Sequence, residues 1–267
     1  MTGEMRAGGE LAGGAGVPAA GTQPNGAVSK EWPSFPVVER FASINGEGLA
    51  AGRPAAFIRF AGCNLDCSYC DTRWANEPDA PAQILSWWDL VEWVRGTGLS
   101  CVTLTGGEPL LQPELHKLVG ALLCVSVPKP LRVEVETNGS VPTYRLRGAR
   151  MDAADQGLPG RLALTIDCKT PSSGNPMTDE MMQQNFFRLD QDDAVKFVVG
   201  SREDLEFMER VARKWDLFDR CAVLASPVWG RIEPAQIADF LVERKLDRAR
   251  LQLQLHKIVW PGVEKGV

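Results

Sequence analysis

Residues 101–140 read CVTLTGGEPLLQPELHKLVGALLCVSVPKPLRVEVETNGS, two β-rich runs (101–107 and 132–139) flanking a stretch with helical apolar spacing, 113–123. Strand, helix and strand in that order predict a unit whose two strands run parallel. The same alternation recurs outward. Further β-rich runs are PVVERFASI (36–44), AAFIRFAGC (55–63), LALTIDCK (162–169), AVKFVVG (194–200), CAVLASPV (221–228) and LQLQLHKIVW (251–260). Helical spacing returns at 84–95, 179–187, 202–215 and 234–244, with Ser86 and Ser201 placed as N-caps and Asp204 in an acidic first turn. The pattern predicts an α/β fold with a mainly parallel sheet, either open or curled into a partial β/α barrel. The Val, Ile, Leu and Phe content of the runs predicts strands covered on both faces. Such sheets bind ligands at the carboxyl ends of their strands, where this chain places AGC, TGGEP, ETNG, DCK and ASP.

Composition sets the bounds. The chain has 267 residues, 24% of them charged, a formal net charge of -5 and a mean hydropathy of -0.14. That is enough length for a full core and too acidic a balance for a nucleic-acid footprint. No apolar run approaches the roughly 20 residues that cross a bilayer, so no membrane association is expected. Two histidines exclude a site built on several. Residues 1–31 are Gly- and Ala-rich, predict a disordered tail, and hold no apolar block of the secretory kind. Residues 32–267 read as a single domain. The seven cysteines are therefore expected in a reducing cytoplasm, where clusters signal metal or catalysis.

Three of them, Cys63, Cys67 and Cys70, stand in GCNLDCSYCD as C-x3-C-x2-C directly after a predicted strand. Zinc is one reading, but a structural zinc site wants four ligands and no fourth lies nearby. An iron–sulfur cluster is the other: three thiolates on a four-iron cluster leave one iron open to a reactant. Beyond it, TLTGGEP (103–109) offers Gly106 and Gly107 for close backbone approach to a ligand, and Glu108 to accept from an ammonium group. Cys101, Cys124 and Cys221 lie in apolar runs and read as small core residues; Cys168 stands out from them.

The cysteine spacing, the aromatic Tyr69 before the third cysteine and the GGE turn together resemble the radical S-adenosylmethionine superfamily. FASINGEGLAAGRPAAFIRFAGCNLDCSYCDT (41–72), TGGEPLLQ, VEVETNGS, TPSSG, DAVKFVV and QLHKIVWPG resemble, in order, the 7-carboxy-7-deazaguanine synthases within it. The resemblance implies a radical SAM core, a 4Fe-4S cluster on Cys63, Cys67 and Cys70, S-adenosylmethionine, Mg2+ on Thr72, and an external electron donor such as flavodoxin or ferredoxin. It implies ring contraction of 6-carboxy-5,6,7,8-tetrahydropterin to 7-carboxy-7-deazaguanine by a homodimeric carbon–nitrogen lyase of queuosine-type biosynthesis.

Carried over position by position, Ile44, Asn45, Gly46, Glu47, Arg59, Thr105, Glu136 and His256 would contact the pterin, with Glu47 and His256 taking part in catalysis. Tyr69, Cys70, Asp71, Gly106, Gly107, Glu108, Asp167, Cys168, Lys169 and Leu224, Ala225, Ser226 and Pro227 would bind S-adenosylmethionine. Two departures stand out. The family commonly has Gln where this chain has Asn45, and Ser-Pro-Lys where it has Asp167, Cys168 and Lys169. A glycyl-radical activase shares the triplet and the GGEP turn but gives no reason for SINGEG or QLHK; a zinc-binding interaction module remains the non-enzymatic alternative.

Overall fold

A period of two along each strand run sorts its side chains onto opposite faces of one sheet. The structure, a computed structural model, describes residues 32–126 and 128–267, so the tail expected at 1–31 lies outside the described residues. Its strands are β1 (Ser34–Ile44), β2 (Pro54–Phe60), β3 (Gln83–Ser86), β4 (Cys101–Gly106), β5 (Arg132–Thr137), β6 (Arg161–Asp167), β7 (Ala194–Val199), β8 (Ala222–Pro227) and β9 (Ala249–Leu251). They form one open sheet in the order β3-β1-β2-β4-β5-β6-β7-β8-β9. From β2 to β9 every neighbouring pair is parallel; β1 alone runs antiparallel to its neighbours β2 and β3.

One face carries the core. Ile58, Val102, Leu104, Val133 and Val135 bury against α1 (Trp87–Thr97), α2 (Leu115–Leu123) and α3 (Tyr144–Asp155). Val195, Phe197, Val199 and Val223 bury against α4 (Asp179–Phe186), α5 (Arg202–Lys214), α6 (Leu217–Arg220) and α7 (Pro234–Glu243). Each fully buried side chain of this kind contributes roughly 1.5–3 kcal/mol over an exposed one. The alternate positions mix polar side chains, among them Arg59, Thr103, Thr105, Glu134, Glu136, Thr165, Asp167, Lys196 and Ser226, with a smaller apolar cluster of Ala55, Phe57 and Cys101. Strands covered on both faces were expected, and the inner-face positions Thr103, Thr105, Glu134, Thr165, Lys196 and Ser226 are indeed buried, but many of them are polar.

The structure corrects several boundaries. The segment expected as a helix from residue 84 begins with the short edge strand β3, and the helix starts at Trp87 with Ser86 as N-cap, its Oγ accepting from Asp89 N at 3.1 Å. Ser201 caps α5 as expected. Helix α3 carries little apolar periodicity because only Leu146, Arg147 and Ala153 are buried on it, and ion pairs from Arg147 and Arg150 to Asp193 dock it. LQLQLHKIVW is not one strand: β9 stops at Leu251, and Leu255–Val259 form a short helix, α8. Cys101 and Cys221 are buried as expected, whereas Cys124 is exposed at the C-terminus of α2. No helix among the described residues is long and apolar enough to cross a membrane.

Candidate active site

The cysteine loop leaves β2 through Gly62 and is held on three sides. Gly62 N donates to Ala75 O at 3.0 Å, Ser68 N to Ser173 O at 2.9 Å, and Asn175 Nδ2 to Asp66 O at 3.0 Å. The sulfurs receive amide donors: Cys63 Sγ accepts from Leu65 N at 3.4 Å and Asn138 Nδ2 at 3.6 Å, and Cys70 Sγ accepts from Asn76 Nδ2 at 3.8 Å. Burial pushes the Cys63 and Cys67 thiols up, with a smaller upward push from the charge of Cys70. Among the described residues no three His, Cys, Asp or Glu side chains are placed to hold a single metal ion. Three thiols on one loop with N–H donors aimed at sulfur fit a multi-iron cluster, whose larger body spans sulfurs that one ion does not.

The GGE turn sits beside this loop. A Cβ on Gly107 would lie 2.0 Å from Gly62 O, and Gly106, at φ +142, would place one 2.4 Å from Phe60 O. The expectation was backbone approach to a ligand; what the glycines admit here is the neighbouring strand and the cysteine loop. Glu108 N in turn donates to Gly62 O at 2.9 Å. The Glu108 carboxylate is fully buried and accepts from Leu110 N at 2.9 Å, Thr137 Oγ1 at 2.7 Å and Asn138 N at 2.6 Å. Burial raises its pKa to about 7 against those three donors. These bonds fasten the ends of β4 and β5, and thereby Asn138 beneath Cys63, with the same carboxylate that the sequence expects to accept from an ammonium group.

The inner face meets at one charged cluster. Lys196 Nζ on β7 donates to Glu47 Oε2 at 2.9 Å and lies 3.5 Å from Asp167 Oδ2, which also accepts from Lys169 Nζ at 2.8 Å. Glu47 Oε1 accepts from Ser226 Oγ at 3.2 Å, and Glu136 Oε2 from Thr105 Oγ1 at 3.0 Å. Burial, and secondarily Glu47, push the Glu136 carboxyl up against the pull of Lys196. Lys169 lies over the Tyr69 ring, 5.8 Å from its centroid, with Arg231 at 6.0 Å. Asp167 Oδ1 is buried and has no hydrogen-bond partner among the described residues. Such an oxygen, beside the cysteine loop, fits a hydroxyl donor such as a ribose supplies. Arg59 donates from Nε to Glu39 Oε1 at 2.7 Å.

A strap following β9 closes over this cluster. Gln252 clamps Gly48, donating to its O and accepting from its N, each at 3.0 Å, and Leu255 N donates to Gly46 O at 3.1 Å. The strap thus ties the chain after β9 to the turn after β1. His256 packs on Gly46 so closely that a Cβ there would lie 2.4 Å from the imidazole Nδ1. It stands on α8, not on the strand expected. Burial depresses its pKa, with Glu47 and Asp71 pulling the other way. Lys257 Nζ reaches Asp71 Oδ2 at 3.3 Å, tying the strap to the cysteine loop next to Thr72.

The expected residues therefore converge with three qualifications. Asn45 is buried, its Nδ2 donating to Cys101 Sγ at 3.4 Å and its Oδ1 accepting from Thr103 Oγ1 at 2.6 Å, so its side chain supports the turn carrying Glu47. Cys168 is fully buried in the outer-face core with its thiol raised well above the usual range by burial, leaving only its backbone to the cofactor side. Of Leu224 to Pro227, Ser226 faces Glu47 while Ala225 packs in the core and accepts from Gln252 N through its O. Ile44 ends β1 just before this turn. Three residues went unread in the sequence: Lys196, whose signal was a lysine inside the apolar run AVKFVV, and Asn138 and Asn76, which direct amides at sulfur. A concavity of about 550 Å³ lies elsewhere, between α2 and α3.

The chain matches the Radical SAM superfamily over residues 57–171. It is 42% identical over 234 residues to the 7-carboxy-7-deazaguanine synthase of Clostridium acetobutylicum, covering 88% of this chain and 100% of that one. The synthase of Methanospirillum hungatei is 36% identical, with 84% of each chain covered, and that of Chlorobaculum tepidum 35%, with 86% and 96% covered. The crystal structure of QueE from Escherichia coli superimposes with a TM-score of 0.58 at 19% identity, over 83% of this chain and 94% of that one, a likeness of fold.

Proposed function

Because the chain belongs to the 7-carboxy-7-deazaguanine synthases of the radical S-adenosylmethionine superfamily, we propose that residues 32–267 are its catalytic domain and that the charged cluster under the strap is its pterin pocket. The reaction is the ring contraction of 6-carboxy-5,6,7,8-tetrahydropterin to 7-carboxy-7-deazaguanine with release of ammonia, in 7-deazapurine biosynthesis. When bound, the 4Fe-4S cluster with S-adenosylmethionine supplies a 5'-deoxyadenosyl radical for hydrogen abstraction at carbon 6 of the pterin.

The chain's own residues bind, orient and exclude water. Cys63, Cys67 and Cys70 would hold the 4Fe-4S cluster through their three thiolates. Asp167 Oδ1, unpartnered and buried, takes a ribose hydroxyl. Glu47 and Glu136 accept from the adjacent donors of the aminopyrimidine edge, while Arg59 and His256 meet the substrate carboxylate. Thr72 would offer its hydroxyl to Mg2+. The strap would cover the pocket, orient the bound pterin and exclude water from it. Flavodoxin or ferredoxin as reductant, a homodimeric assembly and a cytoplasmic setting complete the proposal.

One observation favours a small-molecule substrate over the protein partner of a glycyl-radical activase. The SINGEG turn and the QLHK strap, which an activase has no use for, are clamped to each other across the polar inner face. The test is anaerobic reconstitution followed by incubation with S-adenosylmethionine, reductant, Mg2+ and the carboxytetrahydropterin. A product lighter than the substrate by one ammonia supports the assignment. Deoxyadenosine without a pterin product overturns the substrate, and bound zinc without iron overturns the chemistry.

A further inference from the structure

Lys196 is the one member of β7 that is not apolar, and it is buried at 7% exposure in a strand with no solvent-facing position. An ammonium so placed is retained only if its surroundings return what desolvation takes. Here they do so through Glu47 Oε2 at 2.9 Å and Asp167 Oδ2 at 3.5 Å. Among the described residues Glu47 has no other charged hydrogen-bonding partner. Its second oxygen takes Ser226 Oγ at 3.2 Å, so donors from β7 and β8 fix the plane of a carboxylate that belongs to a turn after β1.

We propose that Lys196 is the positioning residue of the pterin pocket, fixing the Glu47 carboxylate as acceptor for the aminopyrimidine edge. The inference rests on the substrate reading above and deepens it. Asp167 keeps Lys169 as a second partner at 2.8 Å, so the S-adenosylmethionine side of the cluster does not depend on Lys196 to the same degree.

The charges facing Glu47 show why the cation matters. Glu136 on β5 and Asp167 on β6 are carboxylates; Asp71 of the cysteine loop adds a third, paired with Lys257 of α8. Against them stand Lys196, Lys169, His256 on α8, whose pKa burial depresses, and Arg59 on β2, committed to Glu39. Without Lys196, Glu47 would share a buried space with Glu136 and Asp167 and lose the cation it pairs with directly. Its carboxyl would then hold a proton to higher pH, and a protonated carboxyl accepts poorly from a pair of N–H donors. Affinity lost in this way returns as the pH rises and Glu47 ionises.

The experiment measures equilibrium binding of the carboxytetrahydropterin and, separately, of S-adenosylmethionine to the anaerobically reconstituted protein. The proteins compared are wild type, Lys196→Met, Lys196→Arg, Glu47→Gln and Lys196→Met/Glu47→Gln. Over about pH 6 to about pH 9, Lys196→Met should bind the pterin at least about tenfold more weakly than wild type near neutrality, with the gap narrowing toward alkaline pH. Lys196→Arg keeps a charge and should keep the wild-type profile. The double variant leaves no unpaired charge and so guards against a variant that fails to fold. It should bind no worse than Glu47→Gln alone, the signature of one residue acting through the other. S-adenosylmethionine affinity and iron content should stay near wild type throughout. Lys196→Met matching wild type at every pH, a pH-independent loss shared equally by both ligands, or additive effects of the two substitutions would overturn the role of Lys196 while the substrate assignment stands. Absence of pterin binding by the wild type while it still cleaves S-adenosylmethionine overturns the substrate assignment and this role with it.

Discussion

Gly107 shows how a residue read correctly in kind can act on an unexpected neighbour. Its missing Cβ admits Gly62 O of the cysteine loop, and the sequence carries no mark of that contact because 45 positions of chain separate the two. Gly107→Ala should therefore displace the loop: a loss of about 1–3 kcal/mol from overpacking, together with loss of most bound iron, read by thermal unfolding and iron assay. Iron content equal to wild type would show that the loop tolerates the methyl. Glu108, under the same turn, carries a pH signature. With its pKa near 7 in the folded chain, above the ordinary carboxyl value, the folded state binds the extra proton between the two. Its contribution to stability is therefore fully present below about pH 4 and is lost as pH rises through about 7. Urea titrations of the cluster-free protein should show up to about 3 kcal/mol of such loss, and Glu108→Gln should flatten the slope. The cysteines were legible because their spacing is local; Lys196 was not, since its meaning depends on Glu47, 149 residues away.

At the scale of elements, periodicity predicted what packing decides and missed what polar contacts decide. The helices over 113–123, 179–187, 202–215 and 234–244 came within a residue or two of α2, α4, α5 and α7 because each buries an apolar stripe. α3 escaped because buried arginines dock it, and the run from 251 misled because its alternation suits a strand whereas Gln252 and Leu255 are drawn across the sheet to Gly48 and Gly46. That strap makes a prediction. Gln252→Ala removes both bonds of the clamp, each worth about 1 kcal/mol net, with no charge left buried. The amides of residues 46–52 should exchange with solvent faster, while those of β4 and β5 keep wild-type protection. The KM for pterin should rise with little change in kcat, since the clamp covers the pocket and does not touch the reacting atoms. Unchanged exchange at 46–52 would mean that His256 packing alone holds the turn.

The molecule as a whole is two cores beneath one sheet. The first gathers β1, β2, β4 and β5 with α1, α2 and α3; the second gathers β7 and β8 with α4, α5, α6 and α7, and β6 divides between them, Leu164 facing one and Ile166 the other. The proposed pocket straddles that seam, with Glu47, Arg59, Thr105 and Glu136 from one half and Asp167, Lys196, Ser226 and His256 from the other. Asp193, just before β7, stitches the seam from behind. It is fully buried, accepts from Leu164 N at 3.0 Å, and holds Arg150 and, at 3.7 Å, Arg147 of α3. Removing one partner of a buried pair leaves the others uncompensated, so Asp193→Ala should cost about 3–5 kcal/mol. The loss should fall on the join between the cores more than on either one. Trp87 and Trp93 pack with the first core and Trp215 with the second, so the halves carry separate fluorescent reporters. Denaturant curves followed by far-ultraviolet dichroism and by tryptophan emission should coincide in the wild type and separate in Asp193→Ala, with pterin binding lost at the earlier transition. Coincident curves in the variant would show instead that the continuous sheet through β6 makes the two cores a single cooperative unit without the stitch.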